Sequence, residues 1–326
     1  MTPPDREPAP TRQSEARSLA FGAFRLVVVP AALIWVLSRV TGLNWTPSGL
    51  ASPTALLLGL VVNQIALGVF ALRMQLVLRL FGVRIGWWPA LRIHLQSMFY
   101  FFALPMTVGL EIARYVKIRA IQPSASVVQM SSALLLDRLL GAGSALAVAV
   151  LCLPFVRAAI SVDVPLWAWI AGLVGAALLS LAAWLWPRSR RLMQDALRLA
   201  SGRWLGLAGL FVLSMGMHTI FAAGVQLTAV ALGLQVTLLE TLFAVAGGLL
   251  LVAIPVSLGG LGPAEAGSAG LFVAMGQPTS VALVAGALPY LLRLVCALEG
   301  AAWELVESGS ATLAATRRLI LQRQSS

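Results

Sequence analysis

From about residue 20 onward, apolar segments follow one another almost without a break, and this run constrains the fold more than any other feature. A helix needs about 20 mostly apolar residues to cross a bilayer. Segments 21–41, 53–72, 124–154, 164–186, 204–232 and 279–303 meet that requirement, and two more, 87–104 and 237–254, end in breaks rich in Pro and Gly. Hydrophobic residues make up 59% of the chain and charged residues 11%, against roughly 25% charge in a soluble domain. A large soluble core is excluded. Backbone polar groups in lipid must be satisfied within the segment, which selects helices. The expected fold is an all-α integral membrane protein with about six full transmembrane helices and two re-entrant helical hairpins.

The arginines orient it. Suppose that the N-terminus is cytoplasmic and that each broken segment turns back to the side it came from. Then 19 of the 23 basic residues, Arg73, Arg79, Arg84, Arg92 and Arg114 among them, fall in cytoplasmic regions. This is the positive-inside bias. It accounts for the net charge of +11 without nucleic acid. The chain is expected in the cytoplasmic membrane with both termini cytoplasmic. Residues 1–20, rich in Pro and in both signs of charge with no apolar signal core, read as a disordered cytoplasmic tail. Residues 21–305 form a single transmembrane domain with halves at about 21–155 and 164–305, and 306–326 a cytoplasmic C-terminal tail. Residues 187–203, PRSRRLMQDALRLASGR, suit the inner leaflet surface, and Trp45 and Trp87-Trp88 the interfacial belt.

The two breaks resemble each other. The first reads Ala103-Leu104-Pro105-Met106-Thr107-Val108-Gly109-Leu110-Glu111. The second reads Ala253-Ile254-Pro255-Val256-Ser257-Leu258-Gly259-Gly260-Leu261-Gly262-Pro263-Ala264-Glu265. Pro105 and Pro255 stand 150 positions apart, as do Gly109 and Gly259. Pro removes a backbone donor and Gly admits non-helical dihedrals, so each sequence interrupts a helix. Residues 89–104 give about 24 Å of helix and 110–121 about 18 Å. Neither crosses comfortably, hence the in-and-out hairpin. Irregular backbone at membrane depth must be buried in protein or line a cavity.

The likeness continues beyond the breaks. Arg138 follows Glu111 by 27 residues, and Arg293 follows Glu265 by 28. Two halves of three spans and one hairpin each have opposite orientation, which makes an inverted repeat. That is a transporter design, with the site where the repeats meet.

Charges inside a bilayer are costly and face a cavity or a partner. Glu111 and Arg114 share a helix face, Asp137 and Arg138 lie well inside one span, and Arg293 and Glu265 belong to the second half. An arginine fork suits a phosphate, while the carboxylates suit an amine or a proton. The plainer alternative is that these charges pair with one another to hold the bundle. Glu240 and Glu299 are weaker candidates. His94 and His218 have no metal-ligand spacing and read as polar interhelical contacts. Cys152 and Cys296 read as small buried residues. No metal site, cofactor or catalytic motif is indicated.

The stretches FALPMTVGLEIARY, LLLDRLLG and AIPVSLGGLGPAEAG resemble the flippase-like transmembrane region of lysylphosphatidylglycerol synthases, which also occurs in free-standing proteins of this length. The similarity spans roughly residues 20–305. By position it carries Pro105, Gly109, Glu111 and Arg114, then Asp137 and Arg138, then Pro255, Gly259, Gly260, Gly262 and Glu265. The resemblance implies lipid translocation between leaflets. Free-standing relatives are associated with envelope lipids, including hopanoid and polyprenyl-linked glycan pathways. With only residues 306–326 after the membrane domain, synthase activity is expected to be absent.

The reading is a non-enzymatic lipid flippase acting on a phospholipid or lipid-linked envelope precursor with a phosphate-bearing headgroup. Two rivals stand beside it: a non-transporting scaffold of an envelope-lipid synthesis complex, and an intramembrane enzyme acting on lipid phosphates. Envelope-lipid biosynthetic enzymes and a second copy of the chain are the protein partners it allows.

Overall fold

The computed structural model describes residues 31, 34, 50–103, 108–156, 160, 204–251 and 262–324. The expected spans 21–41 and 164–186, the N-terminal tail, Trp45, the segment 187–203, and the break residues Pro105, Pro255, Gly259 and Gly260 lie outside them. Among the described residues, eight helices have defined bounds, in order: α1 Pro53–Leu80, α2 Trp87–Ala103, α3 Val108–Ile121, α4 Val127–Val156, α5 Trp204–Ala231, α6 Leu238–Leu250, α7 Pro263–Ala274 and α8 Thr279–Gln324. Four of these are long and apolar enough to cross a membrane: α1, α4, α5 and the Thr279–Glu307 part of α8. Each expected break falls between two short helices, α2 and α3 in the first half, α6 and α7 in the second.

Local sequence sets the boundaries. Ser52 caps α1 by accepting the Ala55 amide, with Pro53 in the first turn, where its missing N–H costs nothing. α1 ends at Gly82 (φ 81°), with the Val83 amide returning to the Leu78 carbonyl at 3.0 Å. This is a glycine-stopped helix end. α5 ends the same way 151 positions later. Gly233 has φ 77°, and Leu234 N–H reaches the Ala229 carbonyl at 3.0 Å. Gln75 then donates to the Ile85 carbonyl at 3.0 Å, and Gln226, again 151 positions on, to the Val236 carbonyl at 3.4 Å. The α6 start is a reciprocal Thr237–Glu240 capping box. At α7, the Glu265 carboxylate accepts the Gly262 amide at 2.8 Å.

The corresponding helices α1 and α5 run antiparallel. Ala51 at the start of α1 donates to Ala231 at the end of α5 at 2.9 Å. Farther along, Arg73 reaches Ser214 at 3.3 Å. Between these points the backbones nearly touch: a Cβ on Gly59 would lie 3.0 Å from the Gly224 carbonyl, and one on Gly224 would lie 3.1 Å from the Gly59 carbonyl. Small residues permit this approach in a membrane bundle. The halves also exchange partners. α2 packs on α8, where Gly300 meets the Leu95 backbone, and α6 packs on α4.

The buried apolar core divides accordingly. One cluster joins Met74, Leu78, Ile93, Ile118 and Met130 of the first half. Another joins Val148 and Cys152 of α4 to Val225, Phe243, Phe272 and Leu288.

Candidate functional site

Arg73 and Asp137 lie at the centre of the first half. The Arg73 guanidinium donates through Nε and Nη2 to both Asp137 oxygens, at 2.9 and 3.1 Å, and each side chain is 3% exposed. Arg73 was expected in a cytoplasmic region. It lies instead inside α1, which continues through Leu76, Val77 and Leu78 to Leu80. Burial of the charge is offset by the two-pronged carboxylate contact and by Ser214.

Arg114 was also grouped with the cytoplasmic arginines, and it too is buried. Its Nη1 lies 3.4 Å from Glu111 and 3.8 Å from Asp137, and its Nη2 lies 2.8 Å from His94 Nδ1. The Phe70 ring sits 4.6 Å from the Arg73 guanidinium carbon and 4.9 Å from that of Arg114. That face attracts cations. His94 stacks on the same ring with centroids 3.9 Å apart. Neighbouring residues on α4 face opposite ways: Asp137 points inward, while Arg138 has its side chain 52% exposed. Arg138 Nε donates to Glu111 Oε1 at 3.0 Å, the same oxygen that Arg114 meets. Among the described residues, the side-chain hydrogen bond of Arg138 is made through Nε, not through its terminal nitrogens. Three arginines thus share two carboxylates, which leaves the cluster one positive charge in excess.

The second half is simpler. Glu265, in the first turn of α7, pairs with Arg293 of α8, whose Nε also donates to the Pro289 carbonyl at 3.1 Å. Phe221, Val245, Leu249, Ala264, Ser268 and Pro289 complete the lining of a cavity of about 30 Å³ there. This is room for water and not for a headgroup.

Glu111 and Arg138 are therefore together, as are Glu265 and Arg293, and Arg114 and Asp137 join the first pair. No hydrogen bond or ion pair among the described residues links the two pairs. Gly109 falls in the first turn of α3, and Gly262 is the residue before α7. Glu240 is taken up by its cap and by Gln277 at 3.1 Å. His218 bridges helices, with Nε2 3.1 Å from both the Gly141 carbonyl and Ser144 Oγ.

Sequence reasoning missed Arg73, which lies just past the hydropathy boundary of its span. The uninterrupted Leu-Val-Leu run beyond it was the available signal. It also missed a second polar network that ties α2 and α3 to α8. There Arg92 pairs with Glu307 at 3.0 Å and Lys117 with Glu304 at 2.8 Å. Gln96 donates to Glu307 at 2.7 Å, and Tyr100 to Glu304 at 3.0 Å.

Long apolar helices, two interrupted helix pairs and an acid–arginine pair at the same place in each half define a multi-pass α-helical membrane protein. The chain belongs to the family of the lysylphosphatidylglycerol synthase transmembrane region, whose model matches residues 22–298. That family groups membrane proteins related to lipid synthesis and flipping. No curated protein and no solved structure matches the chain.

Proposed function

We propose that this protein moves a lipid with a phosphate-bearing headgroup between the leaflets of the cytoplasmic membrane, and that it does so without chemistry on the lipid. In this reading the eight helices belong to an inverted repeat of about six full spans and two re-entrant hairpins. The antiparallel packing of α1 against α5 supports it, as do the shared 151-residue offset of their glycine stops and their glutamine contacts.

One observation carries the reading: an acid–arginine pair recurs in each half, and the first-half cluster holds an unbalanced positive charge. A phosphate entering that cluster meets the terminal nitrogens of Arg138. It competes with Glu111 for the guanidinium, and Glu111 keeps Arg114 as a partner. Asp137 stays with Arg73, so the buried charges remain compensated while Arg138 exchanges its anion. Arg293 and Glu265 play the same part in the oppositely directed half, where the cavity of about 30 Å³ beside them must widen to admit a headgroup.

The test is leaflet exchange of headgroup-labelled phosphatidylglycerol in proteoliposomes, with protein-free vesicles as the reference. Exchange above that background, lost in Arg138→Gln, is the expected result. Vesicles with folded protein and no exchange of phosphatidylglycerol or other phosphate-bearing lipids would favour the scaffold.

A further inference from the structure

One carboxylate at membrane depth has a different environment from the rest. Glu299, on α8, is half-buried, and its hydrogen-bonding partner is Gln64, near the midpoint of α1. An amide is neutral. The cations on the surrounding helices are engaged elsewhere: Arg73 with Asp137, Arg92 with Glu307, Lys117 with Glu304, and Arg293 with Glu265. Other titratable groups near Glu299 are held too, Cys296 by Asn63 among them. His94 is held by Arg114, Tyr100 by Glu304, His218 by α4, and Glu240 by its own helix cap. Beside the pair, Val61 (48% exposed), Ile65 (52%) and Leu298 (52%) face outward from helices long and apolar enough to cross a membrane. An ionised carboxylate whose partner among the described residues is an amide is costly within such a span. A protonated carboxyl can accept from the Gln64 amide N–H and donate to its oxygen at little cost.

Its position ties it to the lipid site. Arg293, Cys296 and Glu299 recur every three residues along α8, so they share a stripe. Cys296 accepts from Asn63 at 3.5 Å, which places the stripe against α1. Toward the inner end of α8, Glu304 and Glu307 follow with Tyr100, Gln96 and Lys117 bound to them. Glu307 lies about 12 Å beyond Glu299 along the helix. That network begins at Glu304, about 7.5 Å beyond Glu299 along the helix, and no hydrogen bond among the described residues joins it to Glu299.

We propose that Glu299, paired with Gln64, is a proton-binding site whose occupancy is coupled to lipid movement past Arg293. The step is a proton transfer alone: hydronium gives a proton to a Glu299 oxygen, and the carboxylic acid later returns it to water. No other bond changes. The coupling rests on the translocation reading; the proton site does not.

Two measurements decide it. In purified full-length protein at neutral pH, infrared difference spectra should contain a protonated-carboxyl stretch that disappears in Glu299→Gln and shifts in Gln64→Leu. A spectrum without that band, or a band unchanged in Glu299→Gln, overturns the proton site. In proteoliposomes, an imposed proton gradient should change phosphatidylglycerol exchange by about 5-fold or more. The ratio of rates with and without the gradient should fall to about 1 in Glu299→Gln and stay higher in Glu299→Asp. A parental ratio near 1, or one unchanged in Glu299→Gln, overturns the coupling. If the parental protein exchanges no lipid at all, the translocation reading and the coupling fail together, and the infrared band alone then decides the proton site.

Discussion

Arg73 and Asp137, 64 residues apart, form a two-pronged ion pair with both side chains 3% exposed, and it joins α1 to α4 in the interior of the first half. Removing Asp137 leaves the buried Arg73 charge with Ser214 alone, whereas Asp137 would keep Arg114 at 3.8 Å. Asp137→Asn should therefore cost about 3–5 kcal/mol, whereas Arg73→Met with Asp137→Leu should be close to neutral. Thermal melting in detergent measures both. A double variant no more stable than the worse single variant would show that the pair contributes more than charge compensation.

This pair also marks how far the sequence could be read. The ends of α2 and α6 and the starts of α3 and α7 flank the two Pro- and Gly-rich stretches, where Pro and Gly act locally. Glu111 with Arg138 and Glu265 with Arg293 were legible because each pair repeats at nearly one spacing. Arg73 was not, because a hydropathy window closes a span at the first charge. Only the distant Asp137 shows that the charge is buried. The Glu304–Lys117 and Glu307–Arg92 bridges were hidden for a related reason. They depend on α2 and α3 docking against the last helix, a contact between halves that no local pattern encodes.

The α1–α5 crossing gives a test of packing. A Cβ on Gly59 would come within 2.7 Å of Thr228 Oγ1 and 3.0 Å of the Gly224 carbonyl. Gly59→Leu should destabilise the protein by about 1–3 kcal/mol through overpacking. Gly216, on α5, has open space where its Cβ would be, so Gly216→Ala should gain about 0.5–1 kcal/mol from helix propensity. Equal melting shifts for the two would contradict the close approach of these helices.

Orientation can be checked independently of structure. The arginine distribution puts Ser189 and Ser310 on the cytoplasmic side and Thr46 and Ser161 outside. In a background lacking Cys152 and Cys296, single cysteines at Ser189 and Ser310 should resist an impermeant thiol reagent in intact cells. Those at Thr46 and Ser161 should label. Labelling of Ser189→Cys from outside would reverse the topology and remove the inverted-repeat assignment.

Arg138 and Arg293 separate a binding role from a structural one. Arg138 is half-exposed, and its one carboxylate contact is shared with Arg114. Its truncation leaves no carboxylate unpaired, so Arg138→Gln should melt within about 0.5 kcal/mol of the parent. Arg293 is 18% exposed and pairs with a Glu265 that is 7% exposed, so Arg293→Gln should cost more. A purely structural arginine is rescued when its partner is neutralised as well, because the unpaired charge is gone. A phosphate-binding arginine is not, because neutrality does not restore the fork. Lysine keeps the charge but loses the bidentate geometry, so Arg138→Lys should fold normally and translocate slowly. The measurement is phosphatidylglycerol exchange in proteoliposomes, with melting in detergent as the control for folding. Arg138→Gln combined with Glu111→Gln should stay as slow as Arg138→Gln alone. Parental exchange rates in folded Arg138→Gln and Arg293→Gln would leave both arginines with a structural role only.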